Sequence, residues 1–195
     1  AERATGAAEP QVPEETAADR RPVLSVRGLK TQFRIGSTVY RAVDGVDFDV
    51  APGEALGIVG ESGSGKSVTA MSILGLVPTP PGRIVEGRIL FGARHGGEPE
   101  DLVGAPLKRL QEIRGNRIAY IFQDPLTTLN PLLTVGEQVA ETIRRHQGLS
   151  ADKAWSRAVE LLDLVQIPEA GEKAGAYPHQ MSGGQRQRVV IAMAL

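Results

Sequence analysis

Cysteine is absent from this chain of 195 residues. That excludes a disulfide framework and any thiolate-ligated metal site, and it suits a cytosolic protein. An excess of positive charge is absent as well: 22 Lys and Arg stand against 23 Asp and Glu, a formal net charge of −1. The chain therefore lacks the basic field expected of a nucleic-acid binder. Long hydrophobic runs are also missing. The longest, Val189–Leu195, falls far short of the roughly 18 to 20 apolar residues that cross a bilayer, so any membrane role is expected to come through a partner. The first residues have neither the basic start nor the apolar stretch of a signal peptide.

What is present reads as an ordinary globular protein, with 41% apolar and 23% charged residues and enough length for one domain with a real core. Residues 1–22 are rich in Ala, Glu and Pro. They cannot bury enough surface to offset their ordering entropy and are expected to form a disordered tail. Order is expected from Val23. The runs VLSVRGL and AVDGVDFDV read as strands, followed by a turn at Pro52-Gly53. The short apolar run Ala55–Val59 predicts a buried strand, and Ser67–Leu76 a helix stopped by Pro78, Pro80, Pro81 and Gly82. Ile84–Phe91 and Arg117–Phe122 again have strand character. After Pro131 the apolar spacing becomes helical over Val135–His146 and Ala151–Val165, with Ser150 as an N-cap, and a last helix is expected near Gly184. No internal repeat is visible.

The strongest signal is Gly60-Glu61-Ser62-Gly63-Ser64-Gly65-Lys66-Ser67, a complete G-x-x-x-x-G-K-S loop between a strand-like and a helix-like segment. Glycines let backbone N–H groups converge on phosphate oxygens without a Cβ in the way, and the following helix turns its positive end toward the anion. Lys66 supplies a mobile charge for the outer phosphates, and the Ser67 hydroxyl can ligate Mg²⁺. The glycine spacing differs from the dinucleotide G-x-G-x-x-G, and Val68 stands where its last glycine would be. By itself this loop indicates a nucleoside triphosphate with Mg²⁺ and does not separate transporters, GTPases, kinases and helicases.

A second donor-rich turn, Ser182-Gly183-Gly184-Gln185, precedes the last helix and again suits an anion. With Met181 it resembles the ABC-transporter signature LSGGQ, Met replacing Leu with little expected effect. Gln123, in IFQDP ahead of the structure-ending Asp124-Pro125, resembles the family's Q-loop. The segments GIVGESGSGKSVTAMSILGL, IRGNRIAYIFQDPLTTLNPLLTVGEQVAE and AYPHQMSGGQRQRVVIAMAL are similar to the dipeptide, oligopeptide and nickel group of ABC importers, which includes glutathione and microcin-C importers.

That resemblance implies an α/β P-loop NTPase fold with a RecA-like core, an N-terminal antiparallel β subdomain and an inserted α-helical subdomain. The implied division is 23–125 for the nucleotide-binding core, 126–181 for the helical part and 182–195 for the signature loop and the start of its helix. It implies ATP and Mg²⁺ as cofactors. Gly60, Glu61, Ser62, Gly63, Ser64, Gly65, Lys66, Ser67 and Val68 would line the nucleotide site, with Phe33 or Tyr40 stacking on adenine, Phe33 being preferred because residues 27–33 resemble the segment that leads into the family's aromatic. Ser182, Gly183, Gly184 and Gln185 would face the nucleotide of a second ATPase subunit. Lys66 and Gln123 would be catalytic, and Ser67 and Gln123 would reach the metal. The implied partners are that second subunit, two membrane permeases and, indirectly, an extracytoplasmic solute-binding protein, with the ATPase on the cytoplasmic face of the membrane. A non-transport ABC ATPase acting in DNA repair or on the ribosome, and a short non-hydrolytic regulatory module, are the alternatives.

The family also places an apolar strand ending in Asp-Glu after the signature helix, and a histidine further on. No run of four apolar residues here is followed by Asp-Glu, and the chain stops at Leu195 within an apolar helix. It is expected to be the front part of a longer protein, truncated before the Walker B strand and inactive alone. His95, His146 and His179 are expected to be structural or solvated.

Overall fold

The computed structural model describes residues 21–92, 98–123 and 128–195. The expected tail, except Arg21 and Pro22, lies outside the described residues, as do His95 and Asp124-Pro125. The chain divides into two compact units, Ala1–Pro106 and Leu107–Leu195.

The first unit is built on a four-stranded antiparallel sheet in the order β2-β1-β3-β4. Strand β1 (Leu24–Ile35) runs past the expected VLSVRGL and pairs with β2 (Thr38–Val50) through a tight hairpin in which Ile35 faces Thr38 across Gly36-Ser37. On its other side β1 pairs with β3 (Gly82–Phe91), and β3 with the short β4 (Glu100–Asp101). The buried set on β1 is Ser25, Val26, Leu29 and Thr31, which breaks strict alternation. The cause is a bulge at Gly28, whose φ of +55° suits glycine. Gly87 crosses at the same point, where a Cβ would come within 2.6 Å of the Leu29 Cα. Helix α1 (Lys66–Ile73) lies against β1 and β2, tied by a buried hydrogen bond of 2.9 Å between the Thr31 and Ser72 hydroxyls. The helix ends before the prolines that were expected to stop it. Gly75 takes a left-handed conformation, its N–H donates to Ser72 O, and the Leu76 N–H donates to Met71 O, so a glycine cap closes the helix five residues or so ahead of the ring that cannot continue it.

The second unit is helical: α2 (Leu107–Ile113), α3 (Val135–Gln147), α4 (Ala151–Leu164), α5 (Ala170–Lys173), a 3₁₀ turn at Pro178–Gln180, and α6 (Gly183–Ala194). Apolar residues at helical spacing, such as Val135, Val139 and Ile143 on α3 with Ala158 and Leu162 on α4 and Val189 on α6, form one core. Thr134 and Glu137 make a reciprocal capping box on α3, and Gly148 closes its other end in a left-handed conformation. Ser150 occupies the N-cap of α4 as expected, but its side chain makes no capping hydrogen bond.

Two expected strands do not form. Ala55–Val59 carries no ladder and is exposed, Val59 almost fully. Arg117–Phe122 contributes only the isolated bridge Arg114↔Ile118, and Ile121 and Phe122 are exposed. A strand needs a neighbour for its backbone groups and cover for its faces, and among the described residues neither segment has a partner strand.

Two polar pins invite tests. Gln138 is buried: its amide oxygen accepts from Asn130 N–H at 2.8 Å, and its NH₂ donates to Asn130 O at 3.0 Å and Leu133 O at 3.1 Å. Gln138→Leu strands these groups and is expected to cost about 1–3 kcal/mol of stability, read from urea unfolding of the purified protein. Burial of Asp101 pushes its carboxyl up, but Arg88 and the N–H groups of Ile89 and Val103 outweigh this and hold it below the ordinary value. A lowered folded pKa gives stability that is present above the unfolded value and lost as pH falls through the folded one. Asp101→Asn is therefore expected to destabilise at neutral pH, and the difference from the parent to shrink below about pH 4 in pH-resolved unfolding.

Candidate phosphate-binding site

In the first unit the loop Gly60–Lys66 closes on itself around a side chain. The Lys66 ammonium donates to Gly60 O and Glu61 O, each at 2.7 Å, and approaches Ser64 Oγ at 3.4 Å. An ammonium has three donors; two hold the loop, and the third, on the long contact to Ser64, is the one a phosphate oxygen can take over. The Ser64 N–H turns back to Glu61 O at 3.2 Å. Gly63 and Gly65 stand at φ of +84° and +92°, conformations that favour glycine. Gly65 is fixed more tightly still. A Cβ built there would overlap the carbonyl oxygen of Ala42.

Ala42 is the extra residue of a β-bulge: Thr31 faces Val43 and Gln32 faces Arg41, leaving Ala42 without a ladder partner on β1. The loop therefore leans on a strand carbonyl, and α1 begins immediately beyond it. Gly65 is the N-cap with no side-chain cap. Among the described residues the N–H groups of Gly65, Lys66 and Ser67 meet no backbone acceptor. Inward, Thr69 N–H and Thr69 Oγ1 both donate to Gly65 O, at 2.8 and 3.0 Å. Free N–H groups, a helix N-terminus, an ammonium and the exposed Ser67 hydroxyl in one loop fit a polyphosphate.

Phe33 and Tyr40 sit directly opposite each other on β1 and β2 and so share a face of the sheet. They differ in freedom. Phe33 is half-buried and covers Gly82, where a Cβ would meet its ring at 2.8 Å. Tyr40 is 55% exposed and stands two residues from the bulged Ala42.

In the second unit Gln123 is exposed and adjoins the residues outside the description. The turn Ser182–Gln185 starts α6 with a reciprocal box: Ser182 N–H donates to Gln185 Oε1 at 2.9 Å, and Gln185 N–H to Ser182 Oγ at 3.3 Å. Met181 is buried in the helical core, as its apolar character predicts. A Cβ at Gly183 or Gly184 would meet nothing within 4 Å. His179 is exposed and stacks on Tyr177 with ring centroids 5.7 Å apart, and His146 packs over Gly115.

Sequence reasoning missed Ala42, Thr69 and Gln138. Nothing in the pattern marks Ala42, because a bulge is a matter of register between strands; Gln138 looks like a polar residue on a helix until its loop partners are known.

Residues 43–195 match the profile of the family described as ABC transporter. A Brucella melitensis protein named for peptide import and ATP binding is 48% identical over 176 residues, covering 90% of this chain and 52% of that one. A similarly named Brucella abortus protein is 50% identical over 174 residues, covering 89% and 50%. The chain spans about half the length of the curated relatives it matches. Among solved structures, the ATP-binding cassette MJ0796, as a post-hydrolysis dimer bound to ADP and Pi, superposes with a TM-score of 0.74 at 30% identity, covering 88% of this chain and 68% of that one. CbiO1 of Clostridium perfringens, part of the transporter complex cbiONQ, gives 0.66 at 26% identity, covering 89% and 61%. With more than half its length in the profile and the cassette fold in common with these structures, the chain belongs to the ABC transporter family.

Proposed function

We propose that this chain is the nucleotide-loading part of an ATPase subunit that powers import of short peptides or related small solutes. The observation that carries the reading is the Lys66 ammonium drawn to Gly60 O and Glu61 O at 2.7 Å, within a loop whose next N–H groups are free. Such a loop holds the outer phosphates of ATP by charge and by backbone donors. In this reading 23–125 is the nucleotide core, 126–181 the helical part and 182–195 the signature segment.

Gly60 to Val68 cradle the phosphates, and Tyr40 or Phe33 stacks on the base; the freedom of Tyr40 favours it. Ser67 Oγ and the Gln123 side-chain oxygen are the proposed Mg²⁺ ligands, and Mg²⁺ supplies charge neutralisation between phosphate oxygens. A hydroxyl and an amide oxygen are two neutral oxygen donors, a set that suits a cation whose remaining ligands are phosphate oxygens and water. Ser182, Gly183, Gly184 and Gln185 face the ATP of a second subunit, identical or paralogous. Binding across the pair closes it, and hydrolysis with product release reopens it. Gln123 lies in the segment that carries this change to two membrane permeases, served from outside by a solute-binding protein. Among the described residues no helix is long and apolar enough to cross a membrane; the proposed attachment to the cytoplasmic face is through those permeases. The names of the relatives at 48–50% identity support peptides as cargo.

In the full-length protein Lys66→Ala is expected to weaken ATP binding about tenfold or more, because charge-assisted hydrogen bonds are worth about 1.5–3 kcal/mol each. Equilibrium titration with a fluorescent ATP analogue reads this; unchanged affinity would remove the phosphate assignment. Gly183→Val has open space around it, so it is expected to leave ATP binding by one subunit intact while abolishing ATP-dependent dimerisation in analytical ultracentrifugation. The 195-residue chain by itself is expected to release no phosphate from ATP; measurable turnover would show that the Asp-Glu strand is dispensable.

A further inference from the structure

A groove of about 470 Å³ opens in the first unit between the β1–β2 hairpin and the Thr79–Gly82 segment, within the range of roughly 300–1,000 Å³ typical of small-ligand sites. Its walls are apolar, formed by Val39, Val85, Pro80 and Pro81, while Gln32, Arg34 and Arg83 bring polar ends into it. None of the residues Gly60–Ser67 lines it. Alternation along β1 sets Gln32 and Arg34 on the face away from Thr31, whose hydroxyl is bonded to α1.

The sheet pairs its other cations: Arg27 with Asp49, Lys30 with Glu86, Arg41 with Asp44 and Arg88 with Asp101. Arg34 and Arg83 are different. Among the described residues neither guanidinium has an acidic or hydrogen-bonding partner, nor does the Gln32 amide. Their backbones are nonetheless fixed, Arg83 opposite Gln32 in the ladder and Arg34 N–H on Pro81 O at 3.0 Å. Two exposed guanidinia without an acidic partner that line one partly apolar groove give it positive potential, and the planar fork of each matches a carboxylate.

We propose that this groove binds a small organic carboxylate with an apolar body, the carboxylate between Arg34 and Arg83 and the body against Val39, Val85 and the two prolines. The site is separate from the phosphate loop and does not depend on the nucleotide reading.

The test is isothermal titration of the full-length protein with octanoate and N-acetyl-dileucine, each against its neutral amide, and with inorganic phosphate. The acids are expected to bind at least tenfold more tightly than the amides and than phosphate. Arg34→Gln and Arg83→Gln are each expected to weaken them about tenfold, with ATP affinity unchanged. Val85→Asp, which adds a carboxylate to the wall, is expected to do the same and guards against an effect of one arginine on folding. Equal binding of acid and amide, indifference to all three substitutions, binding of phosphate as tight as that of the acids, or no binding of either acid at millimolar concentration would each overturn the proposal.

Discussion

The first unit depends on one steric constraint: at Gly65 there is no room for a side chain. The carbonyl of Ala42 fills the space, and it can do so because the bulge releases Ala42 from the β1 ladder. That single abutment sets where α1 starts relative to β2, and hence where the helix N-terminus points. Everything that makes the loop attractive to phosphate follows from it. The N–H groups of Gly65, Lys66 and Ser67 are free because a helix begins there without a side-chain cap, and Lys66, as the first helical residue, reaches back to Gly60 and Glu61. A capping serine at position 65 would satisfy one of those donors and spoil the site twice over.

The same helix is held at its far end by a different device. Ser72 bonds both to Val68 O at 2.7 Å and to the Thr31 hydroxyl, a buried polar contact between helix and sheet that apolar packing alone would not orient. Polar pins do similar work in the helical unit. There Gln138 fastens the Asn130–Thr134 stretch, and Arg188 donates to Gln166 O at 2.7 Å, where the backbone is forced to a φ of +61°. Apolar surface supplies the drive to fold, but loops that must present particular atoms are positioned by directional bonds.

How legible this was in the sequence follows the range of the forces involved. The helices over Val135–Gln147 and Ala151–Leu164 could be read within a residue or two, because their apolar period and caps are local. The turn ahead of α1 was legible for the same reason, since its glycines, lysine and serine are neighbours in sequence. Ala55–Val59 and Arg117–Phe122 misled because an apolar run announces burial, whereas a strand is made by its neighbours. The helix stop was misjudged because proline is the louder signal, while Gly75 acts earlier through two hydrogen bonds. The bulge at Ala42, on which the site turns, leaves no mark in composition or period.

Gly183 and Gly184 show where intrachain physics stops explaining the sequence. Glycine inside a helix costs about 1 kcal/mol relative to alanine, and both lie in the first turn of α6. Neither has a positive φ, and neither has an atom within 4 Å of the place a Cβ would occupy. The contrast with Gly65, Gly82 and Gly136, each hemmed in by backbone or side chain, is direct: those three are glycine because the chain itself allows nothing else. At 183 and 184 nothing among the described residues requires glycine; the nucleotide of a second subunit, in the function proposed above, would. The Ser182–Gln185 box takes up the N–H groups of Ser182 and Gln185, so the donors left at that helix start for a negative charge are those of Gly183 and Gly184. The two glycine-rich turns thus differ in kind: Gly65 is required by the strand it fits against, whereas Gly183 and Gly184 have no such reason within the described residues, and the proposed approach of a second subunit would supply one.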